Sequence, residues 1–241
     1  DSNPFGILFN PKAIETLILN SLNEKEYAEK DVFLLNERWH CFDAHSDLSA
    51  ADKNELLHNL NLAVKSTNKR LKEATHIIIT LGTSFTYRFI ETKAIVGNCH
   101  KVPQKKFSKE LLSVDEISAS LKNIWHQISA VNPKTTVIFT VSPVRHIKDG
   151  FVENSMSKAH LIAAIHQTLE EVKDILLEQV ELLKKGQFED WLIDACINNI
   201  KLSEKRAKAV FERMTSAGID PSRLSFKGYG EDTSVDKASA D

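Results

Sequence analysis

The order of its predicted elements makes this an α/β protein with a parallel sheet, and two short runs carry that expectation. HIIITLGT at 76–83 and TTVIFTVSP at 135–143 are β-branched, apolar and stopped by glycine or proline, as strands buried on both faces are. Amphipathic stretches alternate with them, so the reading is helix, strand, helix, strand, with right-handed crossovers between parallel strands. In such sheets ligands gather outside the carboxyl ends of the strands. Those ends are Gly82-Thr83 and Ser142-Pro143.

Asn10-Pro11 offers a cap and a proline at the first helical position, and Ile14, Leu17, Ile18 and Leu22 recur at helical spacing after it. A longer helix is expected from a Ser49 cap, with Asp52 in its first turn and Leu56, Leu57, Leu60, Val64 and Leu71 on one face. FTYRFIETKAIVGN, between the two strands, reads as a hairpin-like excursion. SVDEISASLKNIWHQISAVNP follows as a helix in which Ser113 and Glu116 form a capping-box pair. From Met156 to Lys185 an apolar ladder (Leu161, Ile165, Leu169, Val172, Leu176, Val180, Leu183) predicts one long helix ending at Gly186. A further helix opens at Ser203 and stops at Gly218 and Pro221; RLSFKGYGE is a final short strand, and SVDKASAD a frayed tail.

Composition excludes several functions. Lysine and arginine total 31 against 33 acidic residues, so no excess of positive charge draws the chain to nucleic acid. No apolar run reaches the roughly 20 residues of a bilayer span. Cys41, Cys99 and Cys196 are odd in number and widely spaced, which points to free thiols in a reducing compartment. His40, Cys41, His45, Cys99 and His100 are zinc-ligand types, but their spacing matches none of the common zinc patterns, and no metal is expected. Gly82 with Thr-Ser is too short for a phosphate loop, so no nucleotide cofactor is expected either.

Functional side chains concentrate in WHCFDAHS (39–46), LGTSFTYR (81–88), GNCHK (97–101) and TVSPVRH (140–146). Imidazole, guanidinium, hydroxyl and exposed amides are what acyl transfer requires: a proton shuttle, a cation near developing charge and an oxyanion hole. His100 is either such a shuttle or a loop histidine bonded to backbone. Arg145 and His146 either serve the site directly or tie their loop to the sheet.

Read together, SNPFGILFNP, FDAHS, TLGTSFTYR, NCHK, TVSPVRHIKDG and NSMSKAHL resemble the blocks of the GSCFA family, in the same order and over residues 1–166. The resemblance implies a three-layer SGNH or flavodoxin-like α/β hydrolase that cleaves a small-molecule or saccharide ester, such as an acetyl group. By block, Gly6 falls in NPFG, Gly82 and Thr83 in TLGT, Asn98 and His100 in NCHK, and Ser142, Arg145 and His146 in SPVRH. The resemblance makes His100, Arg145 and His146 the candidate catalytic residues. Gly6, Gly82, Thr83, Asn98 and Ser142 are the candidate substrate and oxyanion contacts.

The family's Gly-Ser-Cys-Phe-Ala segment, thought to supply the serine, occurs nowhere in the chain, nor does its Asp-x-x-His-Pro block. Ser2 in DSN has the look of a nucleophile taken alone, yet within SNPFG it lies downstream of the family's serine. The chain is therefore expected to be a fragment, fusion or hybrid with impaired activity.

NIKLSEKRAKAV and AGIDPSRLSFKGYGE resemble the second half of an OmpA-like peptidoglycan-binding domain. In that resemblance Arg206 would grip the peptide's charged groups, although the Gly-His-Thr-Asp loop that accompanies it in the family is not there. The resulting division is a hydrolase domain at 1–166, a long helix and OmpA-like half-domain at 167–234, and a disordered tail at 235–241. The alternative function is a non-catalytic envelope protein that contacts peptidoglycan, which would place it in a periplasm rather than a cytoplasm.

Overall fold

A computed structural model describes residues 3–144 and 149–182, with Glu212 and Ser216, and describes side chains within the last helix as far as Lys173. The fold is mixed α/β, and the chain divides into two compact units, Asp1–Thr168 and Leu169–Asp241.

Three helices pack on one another in the first unit. Helix α1 (Pro11–Leu22) starts as its sequence requires: the Asn10 side chain accepts the Ala13 N–H and proline fills the first turn. Helix α2 (Lys53–Glu73) is capped by Asp52, which accepts the Glu55 N–H at 2.8 Å, and not by Ser49. Ser49 instead bonds His40, so the helix begins at the next residue able to satisfy an open amide. Helix α3 (Val114–Val131) carries the expected capping box, with Ser113 Oγ accepting the Glu116 N–H and Glu116 accepting the Ser113 N–H.

Buried Ile117, Leu121, Ile124 and Ile128 follow the 3.6-residue period of α3 and face α1 and α2. Each such side chain, fully removed from water, is worth about 1.5–3 kcal/mol. Polar ties set the angles between these helices. Asn68 donates to Ser21 O at 2.9 Å, and Asn132 donates to Leu71 O and Ala74 O, so two amides satisfy helix-end carbonyls that would otherwise be open.

Among the described residues the strands form three small sheets. Strands β1 (Phe33–Leu35) and β2 (Arg38–His40) make a hairpin. Strand β3 (His76–Leu81) pairs in parallel with β7 (Thr136–Val141), in the register His76↔Thr136 through Leu81↔Val141. Between them, β4 (Phe85–Phe89) pairs antiparallel with β5 (Ile95–Val96) and with β6 (Phe107–Leu111). The hairpin-like excursion is present, and β6 adds to it a third strand that its charged sequence concealed.

Neither strand of the parallel pair is buried on both faces: in β3 Ile79 and Leu81 are buried, whereas His76, Ile78 and Thr80 face outward, with Ile78 65% exposed, and no residue of β7 is buried. Helix α4 (Phe151–Leu182) begins five residues before Met156. The expected end of that helix, the Ser203 helix and the final strand lie outside the described residues. No helix among the described residues is long and apolar enough to cross a membrane.

Candidate functional site

Parallel pairing sets the carboxyl ends of β3 and β7 side by side, where the Ser142 N–H donates to Leu81 O at 2.8 Å. The segment before α1 crosses this end. The Phe9 carbonyl accepts both the Gly82 N–H (2.8 Å) and the Thr83 N–H (3.2 Å). A Cβ on residue 82 would lie 2.9 Å from the Phe9 ring, so the crossing depends on glycine there.

Helix α4 reaches the same spot with two consecutive residues. Lys158 Nζ donates to Gly82 O (2.5 Å) and Ser142 O (2.7 Å), clamping the two strand ends together. Desolvation lowers its pKa from the ordinary lysine value. Ser157 Oγ accepts the Ser84 N–H at 2.8 Å and lies 3.1 Å from Thr83 Oγ1, while Ser84 Oγ donates to Ser157 O.

Gly6, Gly82 and Ser142 stand on the wall of one trough of about 1020 Å³, which runs back along β3 over Leu17, Ile18 and Leu71. Gly6 has φ +80°, and a Cβ there would come within 2.4 Å of His45 Cβ. His45 is held by its N–H to Phe5 O and by Asp47 Oδ2, 3.1 Å from Nδ1. Asp47 also lines the trough.

Asn98 and His100 are placed elsewhere. Asn98 Oδ1 accepts the His100 N–H at 2.9 Å and so stabilises the left-handed turn of His100 (φ +49°) and Lys101 (φ +62°). The His100 ring is 5% exposed, packs 4.8 Å from the His40 ring beside Phe33 and Phe42, and bonds Cys41 O through Nε2 at 2.7 Å. Nδ1 is buried and has no hydrogen-bond partner among the described residues. Burial, opposed by the Cys41 carbonyl and reinforced by nearby His40, lowers its pKa to about 4, so the ring is neutral at pH 7. Arg145, His146, Arg206 and Ser2 lie outside the described residues.

The zinc-type residues do not form a ligand set. Both His40 nitrogens are engaged, Nδ1 by Ser49 Oγ (2.7 Å) and Nε2 by Leu35 O (3.2 Å). Burial, and then neighbouring Asp43, pushes the Cys41 thiol up to about 12, and burial pushes Cys99 up to about 11. Neither is a ready thiolate. Among the described residues no cluster of three potential ligands forms.

A family model described as GSCFA family matches residues 1–176, which includes every residue of the trough. The chain belongs to the GSCFA family. A model described as OmpA family matches residues 156–241, so the two matches overlap within α4. Searches of curated proteins and of solved structures return no match.

Within the GSCFA region the structure gathers Gly82, Thr83 and Ser142 at the strand ends, puts Gly6 on the same trough, and sets Asn98 and His100 in a separate aromatic cluster. Sequence reasoning did not single out Ser157 and Lys158. Their signal was the NSMSKAHL block itself, where a serine and a lysine adjoin on a helix that follows β7.

Proposed function

We propose that the GSCFA region is an SGNH-type acyl-ester hydrolase for a small-molecule or saccharide ester, with the acyl group entering the trough beside Gly82 and Ser142. The observation that carries this reading is the position of those two residues on one trough at the carboxyl ends of a parallel strand pair, where α/β sheets bind ligands. Lys158 holds that mouth rigid. Arg145 and His146 follow three and four residues after Ser142 and are the proposed cation and base.

The same geometry supports low activity in this chain. Both amides proposed for the oxyanion hole, those of Gly82 and Thr83, are already donated to Phe9 O, so a developing oxyanion would have to displace that carbonyl. His100, neutral and buried, is proposed to support the NCHK turn rather than shuttle protons. With p-nitrophenyl acetate, slow turnover is expected, falling at least about a hundredfold in His146→Ala, as removal of a general base requires. Turnover no faster than that of heat-denatured protein, with no serine labelled by a fluorophosphonate, would overturn the reading.

The match of residues 156–241 to the OmpA family supports a second reading, that this region contacts peptidoglycan through Arg206. Sedimentation with purified peptidoglycan is expected for the whole chain and not for Arg206→Ala. If neither protein sediments, this second reading is dropped.

A further inference from the structure

His45 lies in the FDAHS block and is fixed on three sides. Its N–H donates to Phe5 O at 2.8 Å, its carbonyl accepts the Leu48 N–H at 3.1 Å, and its ring lies against Gly6. A Cβ on residue 6 would come 2.4 Å from His45 Cβ and 3.6 Å from Nδ1, so glycine there is what admits the ring.

Two groups of Asp47 compete for His45 Nδ1. The carboxylate oxygen Oδ2 lies 3.1 Å away and can only accept, whereas the Asp47 N–H lies 3.4 Å away and can only donate. A neutral imidazole satisfies one of them. The contact to the charged oxygen is the shorter, and a charged acceptor makes a hydrogen bond about twice as strong as a neutral one does. Nδ1 therefore carries the proton and Nε2 the lone pair. Nε2 has no hydrogen-bond partner among the described residues and, unlike the orphaned Nδ1 of His100, is not sealed from solvent.

Gly6 and Asp47 both line the trough. Phe9, whose carbonyl accepts the Gly82 N–H, follows Gly6 by three residues, a span of at most about 11 Å. The ring and the strand ends thus lie within the length of one small ester and its attacking water.

We propose that His45 is a general base of this trough, held by Asp47 with its proton on Nδ1, and that it acts on the water that cleaves the ester. The inference rests on the acyl-ester hydrolase reading and adds a second imidazole to the one proposed at His146. Nε2 takes a proton from water as the water oxygen bonds the ester carbonyl carbon. When the ester C–O bond breaks, the departing alkoxide takes that proton back from the imidazolium. Asp47 touches no reacting atom and is a positioning residue, whose loss frees the ring to adopt the other tautomer.

The test compares the whole chain with His45→Gln and Asp47→Asn, by p-nitrophenyl acetate turnover and by long-range proton–nitrogen NMR of the histidine rings at mildly alkaline pH. In the unaltered chain His45 is expected to carry its proton on Nδ1, and in Asp47→Asn on Nε2. Turnover is expected to fall at least about tenfold in both variants. The urea midpoint of Asp47→Asn should not move, since that side chain is 77% exposed, so a structural role for Asp47 would give neither change. The proposal is overturned if the unaltered ring carries its proton on Nε2. It is also overturned if His45→Gln turns over ester as fast as the unaltered chain, which leaves the hydrolase reading standing. Absence of turnover from the unaltered chain instead overturns the hydrolase reading, and the base falls with it.

Discussion

His100 shows how a residue with the chemistry of a catalyst can serve as packing. Its ring is enclosed by Phe33, His40 and Phe42, and its backbone is held left-handed by Asn98. Because its pKa falls from 6.5 in the unfolded chain to about 4 in the folded one, the unfolded state binds more protons between those values. Stability from this residue is full above pH 6.5 and is lost as pH falls toward 4, by an amount on the order of 3 kcal/mol. His100→Asn tolerates the left-handed backbone and removes the titrating group. Urea denaturation from pH 7 to pH 4.5 should show a shallower loss of stability in that variant. An unchanged slope would mean that other groups carry the acid sensitivity.

Among the elements, α4 does most to define the strand-end site. Replacing Lys158 with alanine removes two charged hydrogen bonds, to Gly82 O and Ser142 O, and is expected to cost about 2 kcal/mol. Exchange at the Ser142 amide, which bonds Leu81 O, should quicken while the α3 amides do not. A uniform change across the domain would count against a local clamp. These elements differ in how far the sequence revealed them. Helices α1 and α3 were legible to the capping residue because Asn10, Ser113 and Glu116 act within three positions of their partners. The start of α2 was misplaced, since Ser49 is a good cap on local grounds but is drawn away by His40, nine residues earlier. The β-branched run of β3 identified a strand but not its open face, because burial depends on what packs against the sheet. Around the candidate site, the blocks named Gly6, Gly82, Thr83 and Ser142, which line the trough or its strand ends. The Phe9 carbonyl and Lys158 stayed hidden, because their bonds to Gly82 join positions more than 70 residues apart.

At the scale of the molecule, the outward side of the β3 to β7 pair exposes apolar surface among the described residues. Ile78 lies on it 65% exposed, near Thr80 and Thr140, whose hydroxyls bond each other at 2.9 Å. An exposed aliphatic on an edge strand favours association, and a charge there opposes it. Ile78→Lys should lower light scattering of concentrated protein and reduce binding of an apolar dye, with folding stability changed by no more than about 0.5 kcal/mol. Unchanged scattering would locate self-association elsewhere.

The register of the parallel pair also has a consequence during synthesis. His76 lies opposite Thr136, 60 positions along the chain, so β3 leaves the ribosome long before its partner exists. At ordinary elongation rates that interval is about 3 to 12 s. Throughout it both edges of an isoleucine-rich strand are open, and the intervening excursion of β4, β5 and β6, whose pairings are local, can form first. The nascent chain therefore passes through a defined window in which β3 is unpaired on its β7 side, and that window closes when Val141 has been added and cleared the exit tunnel.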